Sequence, residues 1–200
     1  MTTLIIKDGV FVTDTRETRY SDRSTTDFSV KPITDLGELK LTETNPHKVV
    51  LISVVGPVPN KVWYNNVFNT SEYLVETLNR VHGSNQENLE TTFLVKVENG
   101  DFYQIEHTRS RGWDEVIVPR DTLTVYGSGT LAVNQLKVIA PNLTPEQYLH
   151  IIINEELDEA TGGLITRMGE DNKLMILVPT KETSEDLEKV VKDDLLKTYF

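Results

Sequence analysis

The second residue of this chain is a threonine, Thr2. If Met1 is removed, Thr2 carries a hydroxyl and a free α-amine on one residue. The amine can then serve as base for its own hydroxyl, directly or through a water. A small second residue is common, so Thr2 gains meaning only from what surrounds it. Asp14 is the first candidate neighbour. The run Thr3-Leu4-Ile5-Ile6-Lys7 is rich in β-formers, Asp8-Gly9 follows, and Val10-Phe11-Val12-Thr13 resumes the pattern. Two such runs joined by Asp-Gly predict a hairpin. A two-residue turn sets Lys7 opposite Val10, Ile6 opposite Phe11, Leu4 opposite Thr13, Thr3 opposite Asp14 and Thr2 opposite Thr15. Asp14 is then one diagonal step from Thr2. In a flat ladder their side chains point to opposite faces, so strand twist or an intermediary must join them.

The remaining elements follow from pattern. Ser29-Val30-Lys31-Pro32-Ile33 reads as a strand entry, with Pro32 restricting it to an edge. Lys48 to Val55 is apolar on both faces and predicts a central buried strand. Gly56-Pro57-Val58-Pro59 ends it. Asn69-Thr70-Ser71-Glu72 offers caps for a helix through about Val81. Thr91 to Val97 and Phe102 to His107 predict a hairpin about Asn99-Gly100, and Thr108 to Pro119 reads as an inserted loop. Leu123 to Tyr126 is a strand closed by Gly127-Ser128-Gly129. Thr130 to Ala140 reads as a helix. A second helix starts at Thr144-Pro145 and runs to about Ala160. Leu174 to Val178 is a late strand. Ser184 to Tyr199 is an acidic amphipathic helix. Segregated runs of strands and helices argue α+β. Strands apolar on both faces need cover on both sides, which two packed sheets with helices outside would supply.

Composition narrows the chemistry. The net charge of −11 argues against nucleic acid and anionic lipid as partners. No apolar run approaches a membrane span, and the first residues read as a strand rather than a signal peptide. There is no Cys, and His47, His82, His107 and His150 are scattered without forming a ligand pair. His150, four residues after Glu146, reads as a helix-surface pair. No metal or cofactor is expected, and a cytoplasmic location fits.

Thr2-Thr3-Leu4, Gly9-Val10 and Asp14-Thr15-Arg16 together are similar to the opening hairpin of proteasome β-type subunits. Val30-Lys31 resembles that family's catalytic lysine segment. Tyr126-Gly127-Ser128-Gly129 resembles its Gly-Ser-Gly turn, and Asp158-Glu159-Ala160-Thr161-Gly162-Gly163 its Asp-x-x-Ser-Gly-Gly, with Thr161 in place of serine. The chain thus resembles a divergent proteasome β-type or HslV-type subunit, an N-terminal-nucleophile (Ntn) hydrolase, over residues 2 to about 180. The resemblance implies a single domain spanning 1–200, with a C-terminal helix at about 184–199. It also implies a four-layer αββα sandwich of two mostly antiparallel sheets flanked by helices.

The resemblance further implies a threonine peptidase. Thr2 would be the nucleophile, Lys31 would ease its deprotonation, and Asp14 would orient Lys31. Ser128, Asp158 and Thr161 would support the free amine, and the backbone N–H of Gly56 would bind the oxyanion. The substrate would be a peptide or unfolded protein, handled by a homo-oligomer, with a ring possible, and fed by a regulatory or unfoldase partner. Plainer readings of the same residues stand beside these: Asp14 as a strand-end turn residue, Lys31 as an edge lysine, Ser128 as a turn or cap, and 158–163 as a helix terminus. Pro57 removes a backbone donor next to Gly56. It motivates the alternative of a non-catalytic structural, assembly or inhibitory protein on the same fold. A small-molecule Ntn amidase would share the nucleophile.

Overall fold

The computed structural model describes residues 2–18, 25–26, 32–55, 61–82, 91–108, 112–179 and 189. In chain order the elements are β1 (Thr3–Lys7), β2 (Val10–Asp14), β3 (Glu17–Thr18), β4 (Thr25–Thr26), β5 (Val49–Val55), α1 (Lys61–Asn69), α2 (Leu74–His82), β6 (Thr92–Val97), β7 (Phe102–Thr108), β8 (Gly112–Val118), β9 (Thr124–Gly127), α3 (Thr130–Ile139), α4 (Pro145–Asn154), β10 (Ile165–Met168) and β11 (Leu174–Leu177). They divide between two compact units, Met1–Val30 with Asp121–Phe200, and Lys31–Arg120. Lys31, Gly56 and, apart from Lys189, the expected helix at 184–199 lie outside the described residues.

The first unit is built on a five-stranded sheet in the order β11-β10-β2-β1-β9, antiparallel throughout. Asp8 and Gly9 both take positive φ, 52° and 75°, the signature of the type I′ turn that matches strand twist. The register is Lys7–Val10, Ile6–Phe11, Ile5–Val12 and Leu4–Thr13, the pairing expected from the turn. Alternation along β1 separates Ile5, with Val12 across from it, from Leu4 and Ile6. Ile5 and Val12 pack with α3 and α4 residues such as Val133, Leu136, Tyr148 and Leu149. Leu4, Ile6 and Phe11 are buried as well, so the hairpin is covered on both faces.

Helix α4 begins with a complete capping box. The Thr144 hydroxyl accepts from the Gln147 N–H, and the Gln147 side chain accepts from the Thr144 N–H, with Pro145 in the first turn. The helix ends at Asn154, earlier than the Ala160 expected from sequence. Glu156 takes φ 50°, and the Leu157 N–H reaches back to the Ile152 carbonyl at 3.1 Å, a left-handed C-terminal cap. Asp158 therefore begins a separate turn, in which the Thr161 N–H bonds the Asp158 carbonyl at 3.0 Å. Glu146 pairs with Arg167 on β10.

The second unit carries an antiparallel four-stranded sheet, β5-β6-β7-β8. Strand β5 is buried as its composition implies, and among the described strands it stands first in the sheet order rather than between two others. Its outer edge is met by a bridge from Ile33 to Ile52. The segment expected as a loop at Thr108–Pro119 contains β8, which pairs with β7 from Phe102–Val118 to Thr108–Gly112. Its charged residues hid the strand, while buried Trp113 and Val118 anchor it. Helix α1 carries little sequence signal, because Lys61-Val-Trp-Tyr-Asn-Asn-Val-Phe-Asn69 is poor in helix formers. Tyr64 and Phe68, one turn apart, are stacked and buried against Phe93, so tertiary burial overrides propensity.

The class is α+β: among the described residues, a five-stranded and a four-stranded antiparallel sheet, each in a unit with two of the helices, and a short antiparallel β3–β4 pair.

Candidate active site

The N-terminal strand meets two turns at one corner of the first unit, and glycine makes both approaches possible. Gly127 pairs with Thr3 across β9 and β1. It takes φ 93°, and a Cβ there would lie 1.6 Å from the Thr2 carbonyl oxygen. Only glycine fits such contact. Two residues on, a Cβ at Gly129 would lie 2.5 Å from Thr3 Oγ1. The Gly-Ser-Gly turn is thereby pressed onto the Thr2–Thr3 backbone.

Both ends of the Thr2–Thr3 peptide unit are clamped. The Ser128 N–H donates to the Thr2 carbonyl at 3.2 Å. The Thr3 N–H donates to Asp14 Oδ1 at 2.9 Å. The other Asp14 oxygen accepts from the Gly162 N–H at 3.2 Å, and Asp14 is fully buried. Asp14 thus reaches the residue-2 position through the backbone. This resolves the diagonal offset in the register: the carboxylate shares a face with Thr3 and bonds the amide that follows Thr2.

The Thr3 side chain is the centre of a second set of bonds. Its Oγ1 accepts from the Gly129 N–H at 2.8 Å. It lies 2.5 Å from Thr161 Oγ1 and 3.4 Å from Ser128 Oγ. The Thr161 hydroxyl donates to Asp158 Oδ2 at 2.5 Å, while Asp158 Oδ1 accepts from the Ala160 N–H at 3.3 Å. The Thr13 hydroxyl donates to the Thr3 carbonyl at 3.0 Å. Arg16 clamps the same turn from outside, its guanidinium donating to the Glu159 carbonyl at 3.0 Å. A Cβ at Gly162 would lie 2.3 Å from that guanidinium, so the first glycine of the Gly-Gly pair makes room for Arg16.

Of the residues singled out from sequence, Thr2, Asp14, Ser128, Asp158 and Thr161 converge on this corner. Lys31 and Gly56 lie outside the described residues. Thr3 and Arg16 stand in the sequence only as parts of motifs, yet Thr3 contacts both Ser128 and Thr161. The signal for Thr3 was present in the hairpin register, which puts Asp14 opposite Thr3 rather than Thr2.

Thr2, the residue before β1, is buried. Among the described residues no cluster of three or more His, Cys, Asp or Glu is placed to hold a metal. Outside this corner, burial pushes the Tyr64 phenol up to about 12. It is a core group of the second unit, bonded to His82 Nε2 at 3.0 Å. Among the described residues no helix is long and apolar enough to cross a membrane.

No family model matches the sequence, and no curated protein matches it. Solved structures do match its fold. Anbu (ancestral β-subunit) from Yersinia bercovieri superposes with a TM-score of 0.58 at 10% identity, covering 100% of this chain and 97% of that one. The Anbu complex from Pseudomonas aeruginosa, described as a helical assembly, gives 0.55 at 13% identity over 100% and 97%. A Gly-1 mutant of Anbu from Hyphomicrobium sp. strain MC1 gives 0.54 at 11% identity over 100% and 98%. The chain therefore has the proteasome-like, Ntn-hydrolase fold of these Anbu structures.

Proposed function

We propose that this protein is a divergent proteasome-like threonine peptidase in which Thr2, freed of Met1, is the nucleophile. The observation that carries the reading is the double clamp on the Thr2–Thr3 peptide, with Ser128 on its carbonyl and Asp14 on its N–H. A clamp of this kind fixes the Cα of residue 2, and with it the directions of its hydroxyl and amine. Such positioning is what an N-terminal nucleophile requires. In this reading Lys31 eases deprotonation of Thr2, Asp14 orients it, and the Gly56 N–H receives the oxyanion. The substrate is a peptide or an unfolded protein, and the protein works in the cytoplasm.

Self-association belongs to the same reading. The Pseudomonas aeruginosa neighbour is a helical assembly. In this chain Leu131 and Val138 on α3, and Met175 and Ile176 on β11, are large apolar residues left exposed. A homo-oligomer, as a ring or a helix, would cover such residues, and a regulatory or unfoldase partner would deliver substrate.

Hydrolysis of fluorogenic peptides and of an unfolded protein should be compared between preparations that retain and that lack Met1. Hydrolysis confined to the Met1-free chain is expected, because a peptide bond at the Thr2 nitrogen removes its basic lone pair. Hydrolysis by both forms at equal rates would contradict Thr2 chemistry. Hydrolysis by neither would favour the non-catalytic subunit on the same fold that Pro57 suggests.

A further inference from the structure

We infer that Asn79 guards the edge of the four-stranded sheet: its side-chain amide fills the edge hydrogen-bonding groups of Trp113 and keeps β8 from pairing with β8 of a second copy of this chain. The inference is independent of the peptidase reading.

Among the described strands β8 stands last in the order β5-β6-β7-β8. A strand so placed offers a row of backbone groups to any strand that reaches it. The Trp113 N–H donates to Asn79 Oδ1 at 2.9 Å, and Asn79 Nδ2 donates to the Trp113 carbonyl at 3.3 Å. One carboxamide thus satisfies both backbone groups of one residue, as a neighbouring strand would. The chain makes room for it. Gly112 takes φ 74°, and a Cβ there would lie 2.5 Å from Asn79 Oδ1. Asn79 sits on α2, which packs beside β8, but its own side chain is exposed. Its contacts serve the edge rather than the core.

The bonds to Asn79 turn the Trp113 backbone groups away from β7. Alternation turns those of Glu115 and Ile117 the same way. Asp114 Oδ1 takes the Glu115 N–H at 3.0 Å. Beyond it Val116 and Ile117 are 47% and 58% exposed, an uncharged β-branched pair on an edge.

A second β8 fits this stretch when the two run antiparallel about a two-fold axis at Val116. Glu115 then faces Ile117, Asp114 faces Val118, and Val116 faces its own counterpart. No like charges meet across the pair. The same register carries Pro119 of the second copy to Trp113, where the Asn79 carboxamide already sits. The guard and the added strand cannot share that place.

The chain has no Cys, so Val116→Cys puts a single reporter on the axis. Residue 116 would meet its counterpart as a non-hydrogen-bonded pair, with Cα atoms about 4.5 Å apart, within reach of a disulfide. V116C and N79A/V116C should be air-oxidised at matched concentration and compared on non-reducing gels. Loss of Asn79 is expected to raise the disulfide-linked dimer about tenfold, the effect of one or two net hydrogen bonds. Adding Ile117→Pro, which deletes an outward N–H and is tolerated at an edge, should return the dimer to the V116C level. Equal dimer with and without Asn79, or a dimer that survives I117P, overturns the inference. If N79A fails to fold by circular dichroism, Gly112→Ala displaces the carboxamide without removing it. G112A/V116C must then show the same rise, and an unchanged dimer there overturns the inference as well.

Discussion

Thr2→Ala is expected to lower peptide hydrolysis by the Met1-free chain by at least about 10³-fold, while the protein stays folded. The two effects separate because of how residue 2 is held. Its carbonyl is bonded by the Ser128 N–H, and the following amide is bonded by Asp14. Both are backbone contacts that alanine preserves. What alanine removes is a hydroxyl and a methyl from a residue 3% exposed, a loss of about 1 kcal/mol in burial. Thr2→Ser should retain a nucleophile and measurable turnover. Steady-state hydrolysis with a melting curve on each variant checks this. Turnover in Thr2→Ala comparable to wild type would remove Thr2 from the reaction.

Asp14→Ala should do the reverse and strike stability first. The carboxylate accepts from the Thr3 N–H at 2.9 Å and from the Gly162 N–H at 3.2 Å, both buried. Removing it strands two amides away from water, at about 1–3 kcal/mol for each. For a chain of this size the melting temperature should fall by on the order of 10 °C. Asp14→Asn retains one acceptor oxygen but turns an NH₂ toward an N–H, so an intermediate loss is expected. Thermal denaturation of both variants provides the check. A melting point for Asp14→Ala within about 2 °C of wild type would mean that the carboxylate does not hold the two segments together.

The contrast between these variants reflects what was legible in the sequence. The hairpin could be read to the residue, because Asp8-Gly9 admits one turn type and the turn fixes every later pair. The α4 start was equally plain in Thr144-Pro145-Glu146-Gln147. The chemistry-bearing positions could be named from their motifs, but their bonding could not. Thr3 meets Gly129 from 126 residues away and Thr161 from 158 residues away, and no local pattern encodes such contacts. The sequence suggests Asp14 as a partner for Lys31 and carries no sign of its bonds to the Thr3 and Gly162 amides. Those bonds depend on which face of a strand meets which turn. Strand β8 was hidden for a related reason: a charged segment becomes a strand when β7 supplies the ladder and Trp113 the anchor. Helix α1 was hidden because burial of Tyr64 and Phe68, not helix propensity, makes it.

The glycines show the same division. Gly127-Ser128-Gly129 could be read as a turn from composition alone. That the Gly127 Cα has to pass the Thr2 carbonyl, and the Gly129 Cα the Thr3 side chain, is a property of the packed corner.

The central claim is that Thr2 is an N-terminal nucleophile, and intact-mass spectrometry tests it most directly. Protein purified from its natural host should be treated with an electrophile that requires both the hydroxyl and the free amine of an N-terminal threonine. The account predicts a chain lacking Met1 and carrying one adduct, mapped to Thr2 by peptide sequencing. A chain that retains Met1 and takes up no adduct would contradict it.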